Sequence, residues 1–156
     1  MIARVTEDDL PELLALMRGY CDFYKSAPSD EALLALSRAL LASPECNGAQ
    51  LIARDGRDTA IGFATVYWSW STLRAGEIGV MNDLFVTEKG RGGGVATALI
   101  GQCVELCRER GAVELAWQTA KDNFRAQALY GRLGARREEW LDYSLPVSGP
   151  RDAGET

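Results

Sequence analysis

The stretch from Val80 to Ile100, VMNDLFVTEKGRGGGVATALI, constrains the fold more than any other part of the chain. Its first half, around 84–86, is short, apolar and bounded by polar residues, which is typical of a buried strand. Glycines then occupy positions 90, 92, 93 and 94. Apolar residues recur beyond them at a spacing of four, which indicates a helix. The sequence therefore predicts a strand, a glycine turn and a helix in direct succession.

Free backbone N–H groups at the start of such a helix form an anion site, because unpaired donors and the helix dipole both favour negative charge. Two common phosphate loops do not fit: the turn lacks the Gly-Lys-Ser/Thr end of a P-loop and the third glycine of a G-x-G-x-x-G fingerprint. The segment RGGGVA at 91–96 instead matches R/Q-x-x-G-x-G/A. This signature resembles the acyl-CoA pyrophosphate loop of the GNAT superfamily of N-acyltransferases.

Length and charge fit one domain that acts on a cationic molecule. A chain of 156 residues suits a single domain, which we place at 1–146. The Gly-, Pro- and charge-rich tail at 147–156 is expected to be disordered. The net charge of −5 argues against a nucleic-acid partner and favours a cationic substrate. CoA is itself anionic, so local cations must oppose the global sign, and four flank the loop region: Lys89, Arg91, Lys121 and Arg125.

Cysteine and histidine usage argues against a metal site. The four cysteines include no C-x-x-C pair and the chain has no histidine, so we predict reduced thiols and no metal. The sequence shows no leader pattern and no apolar run close to the ~20 residues that cross a bilayer. These features predict a cytoplasmic protein without a membrane partner.

Hydrophobic periodicity and turn signals predict the other elements. They indicate a strand at 2–5, helices at about 7–24 and 29–43, an antiparallel meander from 50 to 86, a helix to about 110, a strand at 113–117, a helix from 123 and a strand at 140–145. The order is β-α-α-β-β-β-α-β-α-β, a mixed α/β class with one parallel step at the glycine loop. It resembles the GNAT fold, which implies a sheet of about six to seven strands whose parallel strands splay apart at 84–86 and 116–119.

The resemblance also implies acetyl-CoA as co-substrate, bound by two segments. The first is the strand with its glycine loop, and the second is the pattern N-x-x-A-x-x-L-Y at 123–130. The residues implied to bind acetyl-CoA are Leu84, Phe85, Val86, Arg91, Gly92, Gly93, Gly94, Val95, Ala96, Thr97, Asn123, Ala126 and Tyr130.

Tyr130 is predicted to be the general acid of acetyl transfer. An amine that attacks the thioester expels a thiolate, and a phenol within reach can protonate it. Asn123 and Tyr130 are seven positions apart, which places them two turns along one helical face. The alternative is a tyrosine kept for structure, with a solvated hydroxyl.

The acceptor amine must lose a proton before it attacks. Without histidine, that proton leaves through a carboxylate, a water chain or a backbone carbonyl. Asp83 is the preferred group, because it adjoins the strand segment implied to hold the thioester; it can bind the substrate ammonium or relay its proton through water. A buried aspartate bonded only to backbone is the alternative.

A finer pattern combines G-F-A at 62–64, tyrosine at 67, S-T at 71–72, D-L-F-V at 83–86 and the early stretch YCDFY at 20–24. Together these resemble the spermidine/spermine and thialysine N-acetyltransferase branch. The resemblance implies an acceptor site made of Asp83, Asn82, Tyr20, Tyr24 and Tyr67. That branch carries glutamate where this chain has Asn82, and the amide of asparagine cannot accept a proton as a glutamate carboxylate can. The acceptor substrate therefore stays open among polyamines, lysine-like amino acids and amino sugars.

The sequence thus predicts an N-acetyltransferase that moves an acetyl group from acetyl-CoA to a primary amine of a small cationic molecule. The connection at 69–76 is expected to cover the groove that a peptide needs, which favours this reading over a protein N-terminal or lysine acetyltransferase. A non-catalytic acetyl-CoA-binding regulatory module and a plain nucleotide-binding domain are the alternatives of other classes. A homodimer is implied only by the resemblance.

Overall fold

One mixed sheet organises the computed structural model, which describes residues 1–147. The first four strands are antiparallel neighbours and the fifth lies parallel to the fourth. In spatial as well as chain order they are β1 (Ile2–Arg4), β2 (Gly48–Arg54), β3 (Ala60–Ser71), β4 (Gly76–Val86) and β5 (Glu114–Ala116). The predicted mixed α/β class and the parallel step after the glycine loop are confirmed.

Helices cover both faces of the sheet, and they begin where the sequence places capping residues. Their bounds are α1 (Leu10–Phe23), α2 (Asp30–Ala42), α3 (Pro44–Asn47), α4 (Val95–Arg110) and α5 (Phe124–Arg132). Before α1, the Thr6 N–H donates to Asp9 Oδ2 at 2.8 Å within a short 3₁₀ turn. At α2, the Ser29 Oγ accepts from the Ala32 N–H at 3.2 Å. Such caps satisfy backbone donors that a helix start leaves free.

Two apolar layers result from the period-two alternation of the strands. Leu13 of α1 packs with Phe63 of β3 on one face, in a cluster completed by Ile52 of β2. Ala64 and Val66 of β3 point to the other face, where α4 contributes its own apolar side: Leu99, Ile100, Cys103 and Leu106. Adjacent residues of one strand therefore serve different helices.

The two parallel strands separate soon after they meet. Residues 78–80 of β4 pair with Glu114–Ala116, and β4 then continues to Val86 without β5 beside it. The chain after β5 turns away through 117–119. The predicted splay thus opens between the second half of β4 and the segment that leaves β5.

A β-bulge interrupts β4 at the same place. Thr65 of β3 lies opposite Asp83, whereas its neighbour Val66 lies opposite Met81, so Asn82 is the extra residue. A bulge bends its strand and changes the direction of nearby side chains. Here it lies where β4 loses β5 as a neighbour.

The C-terminal stretch differs from the prediction of a further strand. The sheet has five strands within residues 1–147, fewer than the expected six to seven, and 140–145 has no regular structure. Side-chain bonds, such as Gln118 Nε2 to Asp142 Oδ1 at 2.6 Å, tie this stretch to the chain beyond β5. An alternating pattern alone makes no strand when no neighbouring backbone pairs with it. Of the predicted disordered tail, 148–156 lies outside the described residues.

The predicted connection at 69–76 is also different. Ser69 and Trp70 belong to β3, and only 72–75 form the turn of a hairpin whose strands pair from Ser71 and Gly76 onward. This turn lies at the opposite end of β4 from the glycine loop, so it covers no groove there. No helix within the described residues has the length and apolarity to cross a membrane.

Candidate active site

A cleft of about 610 Å³ opens where β4 and β5 separate. The second half of β4 forms one wall, and the segment 117–119 with α5 forms the other. The glycine turn and the start of α4 close one end, and the aromatic end of α1 borders the other. Its size is in the range that holds a small-molecule ligand.

The glycine turn needs glycine for its backbone conformation. Gly92 and Gly94 have φ angles of 85° and 78°, in the left-handed region that other residues rarely adopt. A Cβ atom on either would meet open space, so packing does not explain them. Gly94 is the N-cap residue of α4. The turn thus exposes backbone toward the cleft without a side chain in the way.

Backbone donors at the start of α4 are free to bind a ligand. Ala98 makes the first bond of the helix, to the Gly94 carbonyl at 2.9 Å, and no N–H group of 92–97 has a partner among residues 1–147. No acidic residue lies in the first turn of α4. Arg91 places a positive charge on the cleft wall, and its Nε donates a hydrogen bond to the Val86 carbonyl oxygen at 3.2 Å, which restricts the side chain. These donors and this charge fit the pyrophosphate of an acyl-CoA.

The opposite wall carries Tyr130 and Asn123. The Asn123 Oδ1 accepts from the Ala126 N–H at 3.3 Å, so its carbonyl caps α5 while the residue borders the cleft. Tyr130 is half-buried, and its ring meets the Trp117 ring edge to face at 5.2 Å between centroids. Burial raises the pKa of Tyr130, opposed by a hydrogen bond with Thr119. A phenol with a raised pKa keeps its proton at neutral pH, as a proton donor must.

Asp83 lies beside the cleft rather than on its wall. Its neighbours Asn82 and Leu84 border the cleft, while the Asp83 side chain lies on the face that α1 covers. Burial raises the pKa of Asp83, and hydrogen bonds from Thr65, Asn82 and Tyr20 oppose that rise. The Asn82 Nδ2 donates to Asp83 Oδ1 at 3.0 Å.

Aromatic residues at the end of α1 surround this carboxylate. The Tyr20 hydroxyl donates to the Asn82 carbonyl oxygen at 3.3 Å, and its ring meets that of Tyr24 edge to face at 5.0 Å. Burial first, and then the charge of Asp83, raise the pKa of Tyr20. The same two causes raise the pKa of Tyr67 to about 12. The hydroxyls of Tyr20 and Tyr67 are therefore protonated at neutral pH.

The structure brings most of the sequence-predicted site residues to one cleft. Of those implied to bind acetyl-CoA, only Gly93 does not border it. Of the implied acceptor residues, Tyr20, Tyr24 and Asn82 border it, whereas Asp83 and Tyr67 do not. Sequence reasoning assigned no site role to Met81 and Arg132, which also border it. Met81 directly precedes the predicted site residue Asn82, and this position was the signal available for it.

A glycine-rich helix start beside two splayed parallel strands defines a class of protein that binds an extended, pyrophosphate-bearing ligand. Comparison with known proteins makes this class specific. The sequence matches the Acetyltransferase (GNAT) family over residues 13–135. The chain belongs to this family, and the predicted membership is confirmed.

Individual relatives agree with this assignment. The chain is 29% identical to an uncharacterized N-acetyltransferase, YhfO, of Bacillus subtilis, covering 94% of this chain and 97% of the relative. It is 27% identical to the thialysine N-epsilon-acetyltransferase of Bos taurus, covering 87% and 84%. A crystal structure of a probable acetyltransferase superposes with a TM-score of 0.82 at 28% identity, covering 96% and 99%. The chain is therefore an acetyl-CoA-dependent N-acetyltransferase.

Proposed function

We propose that this enzyme acetylates a primary amine of a small cationic molecule, such as a lysine-like amino acid or a polyamine. The observation that carries the proposal is the Asp83 carboxylate, which lies directly behind Asn82 at the edge of the cleft among the hydroxyls of Tyr20 and Tyr67. A partly buried anion ringed by aromatic groups attracts an ammonium by charge and by cation–π contact. The resemblance to thialysine N-epsilon-acetyltransferases supports the same acceptor class.

In this proposal the backbone at the start of α4 and Arg91 hold the pyrophosphate of acetyl-CoA. The polar backbone of β4 beyond Val80, which has no β5 neighbour, bonds the pantetheine arm as an added strand would. Acetyl-CoA supplies the acetyl thioester. The protein's part is to align this group with the amine, which can remove much of the barrier.

The proton steps use Asp83 and Tyr130. The amine arrives as an ammonium, is bound by Asp83, and releases its proton to that carboxylate or through water held near Asn82. The neutral nitrogen then forms its bond to the acetyl carbon, the carbon–sulfur bond breaks, and the nitrogen, now positively charged, loses its second proton to water to give the amide. The Tyr130 hydroxyl donates its proton to the departing thiolate, which leaves as the thiol, and water returns a proton to the Tyr130 phenolate.

A panel of amines tests the acceptor class. Thiol release from acetyl-CoA would be followed with thialysine, lysine, spermidine, an aminoglycoside and a short peptide. We expect turnover with small diamines or lysine analogues and a much higher KM in Asp83→Asn. A preference for the peptide would instead support the alternative of a protein N-terminal or lysine acetyltransferase. The position of the 72–75 turn, away from the cleft, leaves a route for such a substrate.

Absence of turnover across the panel, with acetyl-CoA binding shown by calorimetry, would favour the non-catalytic binding module. The presence of Tyr130 on the cleft wall argues against that alternative. Competition by ATP would support the plain nucleotide-binding domain, since ATP has no pantetheine for the open edge of β4 to hold.

The predicted homodimer is part of the proposal. A row of large apolar side chains beyond α5 is more than two-thirds exposed: Trp140, Leu141, Tyr143 and Leu145. Such a surface is typical of an interface, and a second copy would cover it. Light scattering would measure the mass, and Tyr143→Ser with Leu145→Ser is expected to give a monomer. The cytoplasmic location and the lack of nucleic-acid and membrane partners stay predictions of the sequence.

A further inference from the structure

A polar row crosses the sheet beneath the acceptor site. In the strand registers, Gln50 of β2 lies opposite Thr65 of β3, and Thr65 lies opposite Asp83 of β4. The adjacent row on the same face is wholly apolar, consisting of Ile52, Phe63 and Phe85. Gln50 is only 5% exposed and Thr65 is fully buried at 0%. Polar side chains therefore replace apolar ones at the single row that ends on Asp83.

The row contains one hydrogen bond and one cross-strand pair. The Gln50 Nε2 donates to the Thr65 Oγ1 at 3.2 Å, so this oxygen acts as an acceptor toward Gln50. The proton of the Thr65 hydroxyl is then available for the residue directly opposite in the register, which is Asp83. The amide of a central strand is thus linked to the acceptor carboxylate through one intermediate hydroxyl.

This arrangement is not what core stability favours. The Gln50 Oε1 is buried and has no hydrogen-bond partner among the described residues. The other group near this amide is the Met17 sulfur, 3.9 Å from Nε2. An unpaired buried acceptor is destabilising, whereas leucine and valine would fill the same layer without one. A row that breaks the apolar pattern at a stability cost is expected where function requires it.

Tyrosine hydroxyls lie around the Asp83 charge. Burial first, and then this charge, raise the pKa of Tyr20 of α1 and of Tyr67 of β3, and the Asn82 Nδ2 donates to the Asp83 carboxylate at 3.0 Å. No lysine or arginine within residues 1–147 contributes to the charge environment of this carboxylate. Its negative charge is therefore not neutralised inside the protein.

We infer that Gln50 and Thr65 are positioning residues of the acceptor site, which hold the Asp83 carboxylate ionised and correctly oriented for the substrate ammonium. The inference rests on the proposed acceptor role of Asp83. Thr65 acts directly on the carboxylate, and Gln50 acts by fixing which way the Thr65 hydroxyl points. Asn82 and Tyr20 complete the set of donors from the cleft side.

The test uses Thr65→Val, with Thr65→Ser as the conservative variant and Gln50→Leu/Thr65→Val as the pair that removes both polar groups. Carboxyl-carbon NMR titration of the whole protein measures the pKa of Asp83 without any substrate. We expect this pKa to rise in Thr65→Val, since a donor to the charged form is lost, and to return in Thr65→Ser. An unchanged pKa in Thr65→Val would overturn the inference.

Kinetics supply the second readout. The KM for the amine is expected to rise about tenfold or more in Thr65→Val, as for one lost hydrogen bond to a charged group, while the Kd of acetyl-CoA stays the same. Thr65→Ser should recover most of this loss. The double variant should unfold at the same temperature as the wild type or above it, because it leaves no orphaned amide.

Failure of the inference is distinguishable from failure of the proposed function. If Asp83→Asn raises the KM for the amine but Thr65→Val and the double variant do not, the inference is overturned and the proposed acceptor site stands. If Asp83→Asn changes nothing, the acceptor site itself is overturned, and the positioning role goes with it. If the double variant unfolds earlier and loses acetyl-CoA binding as well, the row is structural and the inference is wrong.

Discussion

The rings of Trp117 and Tyr130 meet edge to face at 5.2 Å, where the chain leaves β5. This contact lies within one wall of the cleft and joins its two parts, since Trp117 follows the parallel strand and Tyr130 belongs to α5. It restricts the Tyr130 ring and leaves its hydroxyl beside Thr119. Held this way, Tyr130 would need no rearrangement to act as the proposed proton donor, which is a condition for efficient general-acid catalysis.

Tyr130→Phe removes the proposed acid while keeping the ring and its contact with Trp117. We expect kcat to fall by about 10²- to 10⁴-fold, the usual effect of a positioned acid. The Kd of acetyl-CoA, measured by calorimetry, should stay nearly the same because no backbone donor of the glycine loop changes. Equal turnover in the variant would remove Tyr130 from the mechanism.

Gly94→Glu places a side chain and a negative charge at the start of α4. We expect acetyl-CoA to bind more than about tenfold more weakly, since juxtaposed like charges cost several kcal/mol and the left-handed backbone is strained by any Cβ. Gly101→Glu, on the same helix and also with open space at its Cβ, is the matched control and should bind normally. Gly94→Lys has the same strain but the opposite charge, so it separates the two causes. Wild-type affinity in Gly94→Glu would exclude the loop as the site.

The proposed role of Asp83 predicts a particular dependence of kcat/KM on pH. The amine, with an ordinary pKa of about 10.4 for a lysine-like group, must lose its proton. Release of this proton through water, with Asp83 still ionised, makes log(kcat/KM) rise with slope one across neutral pH, whereas transfer of the proton to Asp83 itself gives no slope there. Asp83 acts as the anion, and burial raises its pKa above the usual value. As the pH falls through that raised pKa the carboxylate is lost, and the slope should steepen from one to two. Asp83→Asn should keep slope one throughout, and a steepening that survives in this variant would point to another group.

Asn82→Glu restores the glutamate of the resembled branch. It also removes the donor that lies 3.0 Å from the Asp83 carboxylate and replaces it with a like charge. A neighbouring anion raises the pKa of a carboxyl, so the steepening should move about one unit or more toward higher pH. Asn82→Gln keeps the amide and is the control. An unmoved profile in Asn82→Glu would show that position 82 does not act on Asp83.

The burial of Phe63 predicts that this side chain contributes strongly to the free energy of unfolding. It is almost fully buried between β3 and α1, beside Phe85 and Tyr20. Phe63→Ala should lower the free energy of unfolding by about 3–5 kcal/mol, through lost burial and the cavity left behind. Trp70→Ala on the same strand, where the side chain is 79% exposed, should stay within about 0.5 kcal/mol. Denaturant unfolding measures both, and equal effects would contradict this picture of the core.

The sequence could predict the glycine loop and its helix because their determinants are local. Gly94 needs its own φ angle, and the apolar spacing after Val95 needs only its own helix. The prediction of a strand around Trp140 was wrong for the opposite reason: strand formation depends on a partner backbone, and alternation does not reveal whether one is available. The 69–76 connection failed because polar residues such as Ser69 and Ser71 occur at the solvent-exposed end of a hairpin as readily as in a loop.

Within the candidate site, the bulge at Asn82 was the feature that the sequence could not predict. Nothing in the letters MND marks an extra residue, because the register depends on how β3 and β4 pair over their whole length. The sequence could therefore name Asp83 and Asn82 as neighbours but could not show which of the two lies on the α1 side of the strand. Gln50 and Thr65 could not be predicted as site residues for the same reason, since only the strand register aligns them with Asp83.

The division of β4 into two faces has an evolutionary consequence. Leu84 borders the donor cleft, whereas Asp83 lies on the α1 side. In the proposed site, substitutions on the α1 side can therefore change which amine is accepted while the loop proposed to hold the acyl donor stays as it is. A lineage with this division could exchange its acceptors one residue at a time and keep the same acyl donor.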